Sequence, residues 1–324
     1  MDSVKFSNVY IKDYFSIVGP VEGAGKIKNY HLVMDDYYYH EKTFEQAEVK
    51  MQRVVIDNLL LRNKLLERDI DYLISGDLSN QISVSSYAAA HYHIPFFGVY
   101  SACASFVESM ILGAKFLDGR GSRKAISLTS SHNLNAEKQF RFPVEYGAPK
   151  PKTTTFTATG CIGSILTKDA TKVKVEGATI GRVIDMGITD ATHMGAVMSP
   201  AAAETLVQHL SDFKRTVDYY DVILTGDLGS VGCEIFREYL SRSKNIRLKN
   251  HMDAATELYL ETQDVYAGAS GPVALPLVLF HKVLKNNRYK KILIIGTGSL
   301  HSPTFVNQKI TIPAIAHAIS LEVI

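Results

Sequence analysis

The chain has 324 residues, 46% of them apolar, with 35 basic and 33 acidic side chains and a net charge of +2. At ~150 residues per domain that length allows two domains or one large α/β domain. A charge so near balance excludes the basic field of a nucleic-acid binder, and no apolar run reaches the ~20 residues of a membrane span.

Residues 1–40 read as irregular structure with short strands, and Met1 to Tyr14 holds no apolar signal-peptide core. Gly19-Pro20-Val21-Glu22-Gly23-Ala24-Gly25-Lys26 resembles a phosphate-binding loop only in part. Pro20 stands where the first motif glycine belongs, and Ile27 follows the lysine instead of Ser or Thr. Tyr37-Tyr38-Tyr39 sits beside Asp35 and Asp36, which repel phosphates. Thr43 with Gln46 opens a helix, and Phe44, Ala47, Met51, Val54, Val55, Leu59 and Leu66 continue it. A buried strand and turn follow at 71–78, then a small-residue helix at 83–91.

The segment Ile94 to Ser105 runs from apolar to small residues, with Cys103 at the change. Phe106, Val107, Met110, Ile111, Ala114 and Leu117 keep helical spacing beyond it. Cys103 is therefore expected at the first turn of a buried helix, where free N–H groups and the dipole lower a thiol pKa. Such a thiol is a candidate nucleophile; the alternative is a small core residue. Three cysteines in all form no paired framework, which fits a reducing compartment.

Lys124 to Thr129 reads as a strand, and 132–160 as a long functional segment. Strands are expected near 157–166 and 173–185, and a helix over Ala201–Phe213 capped by Ser199-Pro200. The chain then repeats itself. Residues 221–228 match 71–78 in type at a spacing of 150, and Lys291 to Gly296 echoes Lys124 to Thr129. Ala267-Gly268-Ala269-Ser270-Gly271 enters an apolar run as Ser101-Ala102-Cys103 does. Three matches in one order indicate a duplicated α/β unit.

A duplicated α/β chain with a cysteine opening a buried helix resembles the thiolase and ketoacyl-synthase superfamily. Ser130-Ser131-His132-Asn133, Ala136 to Arg141, Glu145-Tyr146-Gly147, Lys150-Pro151, Asp185-Met186-Gly187-Ile188, Leu224 to Leu228 and Ile312 to His317 closely resemble the stage V sporulation protein AD family, over nearly the whole chain. The resemblance implies an α/β, thiolase-like fold of two pseudo-repeated halves, 1–170 and 171–324, with mixed sheets covered by helices. It also implies binding of dipicolinic acid, free or as its calcium chelate, and uptake into the developing spore with the membrane proteins of the dipicolinate channel. A homodimer without cofactor, cytoplasmic and peripheral to the forespore or spore inner membrane, and linked to germination, completes that expectation.

Condensing enzymes of the superfamily use a His and an Asn, or two His, from second-half loops. Here one loop reads Gly226-Asp227-Leu228 and offers a carboxylate, while Ala269 stands at the asparagine's place. The loop also departs from the spore family, which tends to carry Gly-Cys after Gly-Gly-Ser, and Ala254-Ala255 replaces a common Cys-Gly. A non-catalytic binder is therefore expected, the alternative being an acyltransferase that uses Cys103 and a coenzyme A thioester. The residues assigned to ligand binding are Cys103, His132, Lys138, Arg141, Asp227 and His301. His91 and His93 lack a third metal ligand nearby, and Asp185, Asp190 and Asp227 take calcium only if the fold converges them.

Overall fold

The computed structural model describes residues 3–119, 121–140 and 149–324. Ten strands form its frame. In the first half these are β1 (Tyr10–Val18), β2 (Tyr72–Gly76), β3 (Phe96–Gly98), β4 (Lys124–Ser131) and β5 (Gly160–Thr167). In the second they are β6 (Val173–Thr179), β7 (Val222–Thr225), β8 (His251–Asp253), β9 (Lys291–Ser299) and β10 (Ala314–Val323). The first five lie in the order β1-β5-β4-β2-β3 and the second five in the order β6-β10-β9-β7-β8. Directions match as well. The first two pairings of each set are antiparallel and the last two parallel. The sets join where Tyr10 and Ile11 of β1 pair with Lys174 and Val173 of β6. This is the duplicated mixed-sheet fold expected from the repeat.

Helices cover and divide the sheets: α1 (Phe44–Arg62), α2 (Ser83–Ala89), α3 (Ser105–Asp118), α4 (Asn133–Phe140), α5 (Met194–Phe213), α6 (Gly229–Lys244) and α7 (Ala274–Val278). Thr43 caps α1 by accepting the Gln46 N–H at 3.2 Å, a bond worth ~1 kcal/mol. Met51, Val55, Ile56 and Leu59 are fully buried against β4 and β5, each contributing about 1.5–3 kcal/mol of transfer free energy. Helix α3 lies in the middle, touching β2 and β4 of one half and β9 and β10 of the other. Its Phe106, Val107 and Met110 share one apolar cluster with Leu275, Val278 and Phe280.

Three local expectations change. β1 is a nine-residue strand, not irregular structure. Its register slips between Ile11 and Asp13, and such a bulge resets the alternation that marks a strand. Helix α5 begins at Met194, so Pro200 lies inside it. Ser199 Oγ shares its one proton between the Gly195 and Gly232 carbonyls, 2.6 and 2.8 Å away, so it bonds back along the helix and across to α6 rather than capping. Residues 133–140 are helical rather than loop. The 19–26 turn is filled by its own Glu22, fully buried and bonded to Tyr259 Oη and the Thr159 N–H.

Candidate functional site

Cys103 sits on a strained turn between β3 and α3. Ala102 before it has φ of 51°, the left-handed region that costs a non-glycine residue about 1 kcal/mol or more. Local bonds hold the turn. Ala104 N donates to the Ser101 carbonyl at 3.0 Å, and Ser105 Oγ donates to the Ala102 carbonyl at 2.7 Å. β9 makes room for it with two glycines. A Cβ on Gly298 would stand 2.1 Å from the Ser101 carbonyl oxygen, and one on Gly296 would stand 2.7 Å from Val107 Cγ2. The turn of one half thus lies directly on the central strand of the other.

That placement brings the sulfur to the loop after β7. Asp227 there is buried. Its Oδ1 accepts Thr297 Oγ1 at 2.7 Å, and its Oδ2 accepts the Gly271 N–H at 3.2 Å. Gly271 has φ of 97°, a conformation that aims its N–H inward at no steric cost. The Cys103 thiol lies beside the same carboxylate. Burial pushes Asp227 up to about 6, against the lowering effect of the neighbouring thiol and of the Thr297 and Gly271 donors. Burial, and then the Asp227 charge, hold the Cys103 thiol well above its ordinary range. The lowered thiol pKa expected from the helix start is overturned, because desolvation and a neighbouring anion both favour the protonated sulfur.

Behind Asp227 lies a second buried carboxyl. Asp253 accepts Thr225 Oγ1 at 2.5 Å and the Leu228 and Gly229 N–H groups at 3.2 and 3.1 Å. Burial and the Asp227 charge raise it to about 7. The pair fixes the 226–229 turn from both sides. Asp227→Asn removes the charge beside the sulfur while keeping the side chain's shape. Iodoacetamide is expected to alkylate Cys103 roughly tenfold faster or more in this variant at pH 8, as read by peptide mass. An equal rate in both proteins would show that Asp227 does not govern the thiol.

The sulfur opens into a cavity of about 40 Å³, lined by Cys103, Glu137, Phe140, Ser270, Ser299 and His301 among others. Outside it lies a cleft of about 540 Å³, and Leu78, Phe140 and His301 border both. The Phe140 and His301 rings are 5.3 Å apart between the two. Of the residues assigned from sequence, the fold brings Cys103, Asp227 and His301 together. It does not bring Lys138 or His132. On α4, Ala136, Glu137 and Phe140 face the cavity, so Lys138 projects from another side and pairs with Glu45. His132 Nε2 bonds the Tyr37 carbonyl at 2.8 Å, and its ring stacks on Phe44. Arg141 lies outside the described residues.

Glu137 and Phe140 were missed because nothing marked 133–140 as a helix with an inner face. Gly296 and Gly298 were missed although paired glycines in a strand signal close approach. Among the described residues the fold does not gather Asp185, Asp190 and Asp227, nor give His91 and His93 a third ligand. It does place Cys233, His251 and Asp253 within 4.8 Å of one another. Asp253 there already accepts four donors, the fourth being the Ala255 N–H at 3.2 Å. His251 Nδ1 accepts Arg237 Nε at 3.2 Å. These groups form a satisfied hydrogen-bond network at the start of α6.

Comparison with known proteins gives consistent results. A profile of stage V sporulation protein AD matches residues 2–322. The chain is 36% identical over 318 residues to stage V sporulation protein AD of Bacillus subtilis, covering 97% of this chain and 94% of that one. Among solved structures it resembles 3-oxoacyl-[acyl-carrier-protein] synthase III of Aquifex aeolicus, with a TM-score of 0.59, 13% identity and coverage of 97% and 99%. Cerulenin-bound OleA of Xanthomonas campestris gives a TM-score of 0.62 at 14% identity, with 98% of each chain covered.

Proposed function

The chain belongs to the stage V sporulation protein AD family, and from that premise we propose that it is a non-catalytic thiolase-fold protein that binds dipicolinic acid and supports its uptake into the developing spore. One observation carries the non-catalytic part: the Asp227 carboxylate beside the Cys103 thiol. Condensation needs a thiolate and then donors for an oxyanion. Asp227 disfavours the thiolate and repels a developing oxyanion. Ala269, at the place of the superfamily's asparagine, is buried and brings no side-chain donor.

The ligand reading draws on the family resemblance and on charge. Glu137, which lines the cavity, is paired with Lys150 at 2.9 Å, and the buried Asp227 carboxylate underlies it, so Asp227 is the charge a dicarboxylate meets there and the ligand is better accommodated with its own charge already compensated. This favours the calcium chelate over the bare dianion. The membrane proteins of the dipicolinate channel are the partners in this reading, at the forespore or spore inner membrane. No helix among the described residues is long and apolar enough to cross a membrane. A homodimer fits the free edge of β3, where Phe97 and Tyr100 are 43% and 44% exposed.

Two measurements test the proposal. Titration calorimetry with dipicolinate, with and without calcium, is expected to show saturable binding. Incubation with acetyl-, malonyl- or acetoacetyl-coenzyme A is expected to leave the intact mass unchanged. Acylation of Cys103 followed by turnover would establish the acyltransferase reading instead.

A further inference from the structure

β9 reaches the Cys103 turn with its last residues, Gly296 and Gly298, so it begins at the opposite end of the molecule. β1 and β6 begin at that end too, and α1 finishes there. Hydrogen bonds join these points in a line. Val323 N donates to the Lys290 carbonyl at 2.8 Å and Ile324 N to the Lys172 carbonyl at 2.9 Å. Thr171 Oγ1 donates to the Ile11 carbonyl at 2.7 Å. Asn63 Nδ2 then ties the end of α1 to Asp13 of β1, at 2.8 Å.

This end presents Lys12, Lys64, Lys172, Lys285, Arg288 and Lys290. All six are exposed, and none pairs with an acid among the described residues. Residues 281–291 hold five basic side chains and no acid, and Lys285 Nζ lies 5.6 Å from the Tyr14 ring of β1. Asp13 is taken up by Arg62 and Asn63, and Asp221 caps the Lys290 and Lys291 N–H groups. A helix dipole accounts for Lys64, just past the end of α1. It does not account for Lys12, Lys172 or Lys290, which stand on or before strands, where no such dipole exists. The whole chain carries only +2, so the excess is local. Two apolar side chains stand among these cations: Leu61 is 77% exposed and Leu66 56%, on either side of Lys64.

We propose that this end docks directly on an anionic lipid surface, with the cations against headgroup phosphates and Leu61 and Leu66 entering the interface. The contact is made by this chain itself, without a membrane protein, and it stands apart from the ligand reading above. Each basic residue held near an anionic surface tightens binding about fivefold. Apolar anchors add burial that salt does not screen, and the two signals together hold what one does not. The orientation follows: the Cys103 cavity faces away from the bilayer.

Flotation of the full chain with vesicles tests this, using equal parts phosphatidylglycerol and phosphatidylcholine against phosphatidylcholine alone. Binding is expected to the mixed vesicles only, and to weaken as salt rises. Lys172→Gln and Lys285→Gln are each expected to weaken it about fivefold, and Leu61→Ala about tenfold, all with unchanged melting temperature. Lys42→Gln makes the same charge change at the other end, before α1, and is expected to bind as wild type does. Absence of binding to the mixed vesicles at low salt overturns the proposal. Equal weakening by Lys42→Gln and Lys172→Gln would show a response to net charge, not to this face. Capture of soluble polyglutamate with no vesicle binding would assign the face to an acidic protein and overturn the lipid.

Discussion

Gly298→Ala is expected to destabilise the protein by about 3 kcal/mol, near the upper end for overpacking a tight core. The added methyl would stand 2.1 Å from the Ser101 carbonyl oxygen. Backbone fills that side, and no rotamer change relieves the clash. Either β9 or the Cys103 turn must move, and β9 is held by β10 along its whole length, with Gly298 opposite Ile315, and by β7 at Ile292 to Ile295. The turn therefore gives way, taking Cys103 away from Asp227. Gly296→Ala is the comparison. Its methyl meets Val107 Cγ2 at 2.7 Å, a side-chain atom with freedom to shift, so a smaller loss is expected. Urea midpoints of the two variants check the order. Equal midpoints would mean that the close approach of the two halves at Gly298 is not rigid.

Stability is expected to be nearly level between about pH 5 and 6, where the two sets of groups below offset each other, and to fall on both sides. Burial raises Glu48 to about 8, Glu22 and Asp253 to about 7, and Asp227 to about 6. A raised folded value means that the folded chain holds protons the unfolded chain has released. The stabilisation these groups give is complete below ~4, where the unfolded carboxyls are protonated, and is lost as pH rises through 6 to 8. Burial acts oppositely on the imidazoles. It lowers His209, His251 and His281 to about 3 and His317 to about 4. Their contribution is complete above ~6.5 and is lost as pH falls toward those values. Each pH unit across which one such group titrates differently changes stability by up to ~1.4 kcal/mol. Glu48 accepts Ser130 Oγ at 2.8 Å and Asn135 Nδ2 at 2.9 Å, and the nearby Asp77 carboxyl adds to its rise. Glu48→Gln keeps the shape of that network and removes one of the titrations, so its alkaline limb should be shallower. Melting temperatures at pH 4.5, 6.3 and 8.5 give the curve. A wild-type value no lower at 8.5 than at 6.3 would mean that the buried carboxyls are already ionised in the folded state.

The order and spacing of residues alone determined the architecture. The match of 221–228 to 71–78 gave β7 and β2, the echo of Lys124 in Lys291 gave β4 and β9, and the small-to-apolar change at Cys103 placed the turn before α3. Repeats and periodicities are local signals, and burial of one face imposes them on the chain. Asp227 and Ala269 were also legible, because they stand at the ends of elements that the repeat locates. The tertiary structure alone decided what those residues meet. The sign of the Cys103 pKa shift depends on desolvation and on a carboxylate 124 residues away in the chain. The inner face of α4, which admits Glu137 and Phe140 and turns Lys138 toward Glu45, depends on a helix that shows no clear periodicity. The path of β1 was hidden by its bulge, and the start of α5 by a proline that packing against α6 tolerates. Charge, burial and hydrogen bonding at a site are sums over neighbours brought from distant parts of the chain, so they appear only once the two halves close on each other.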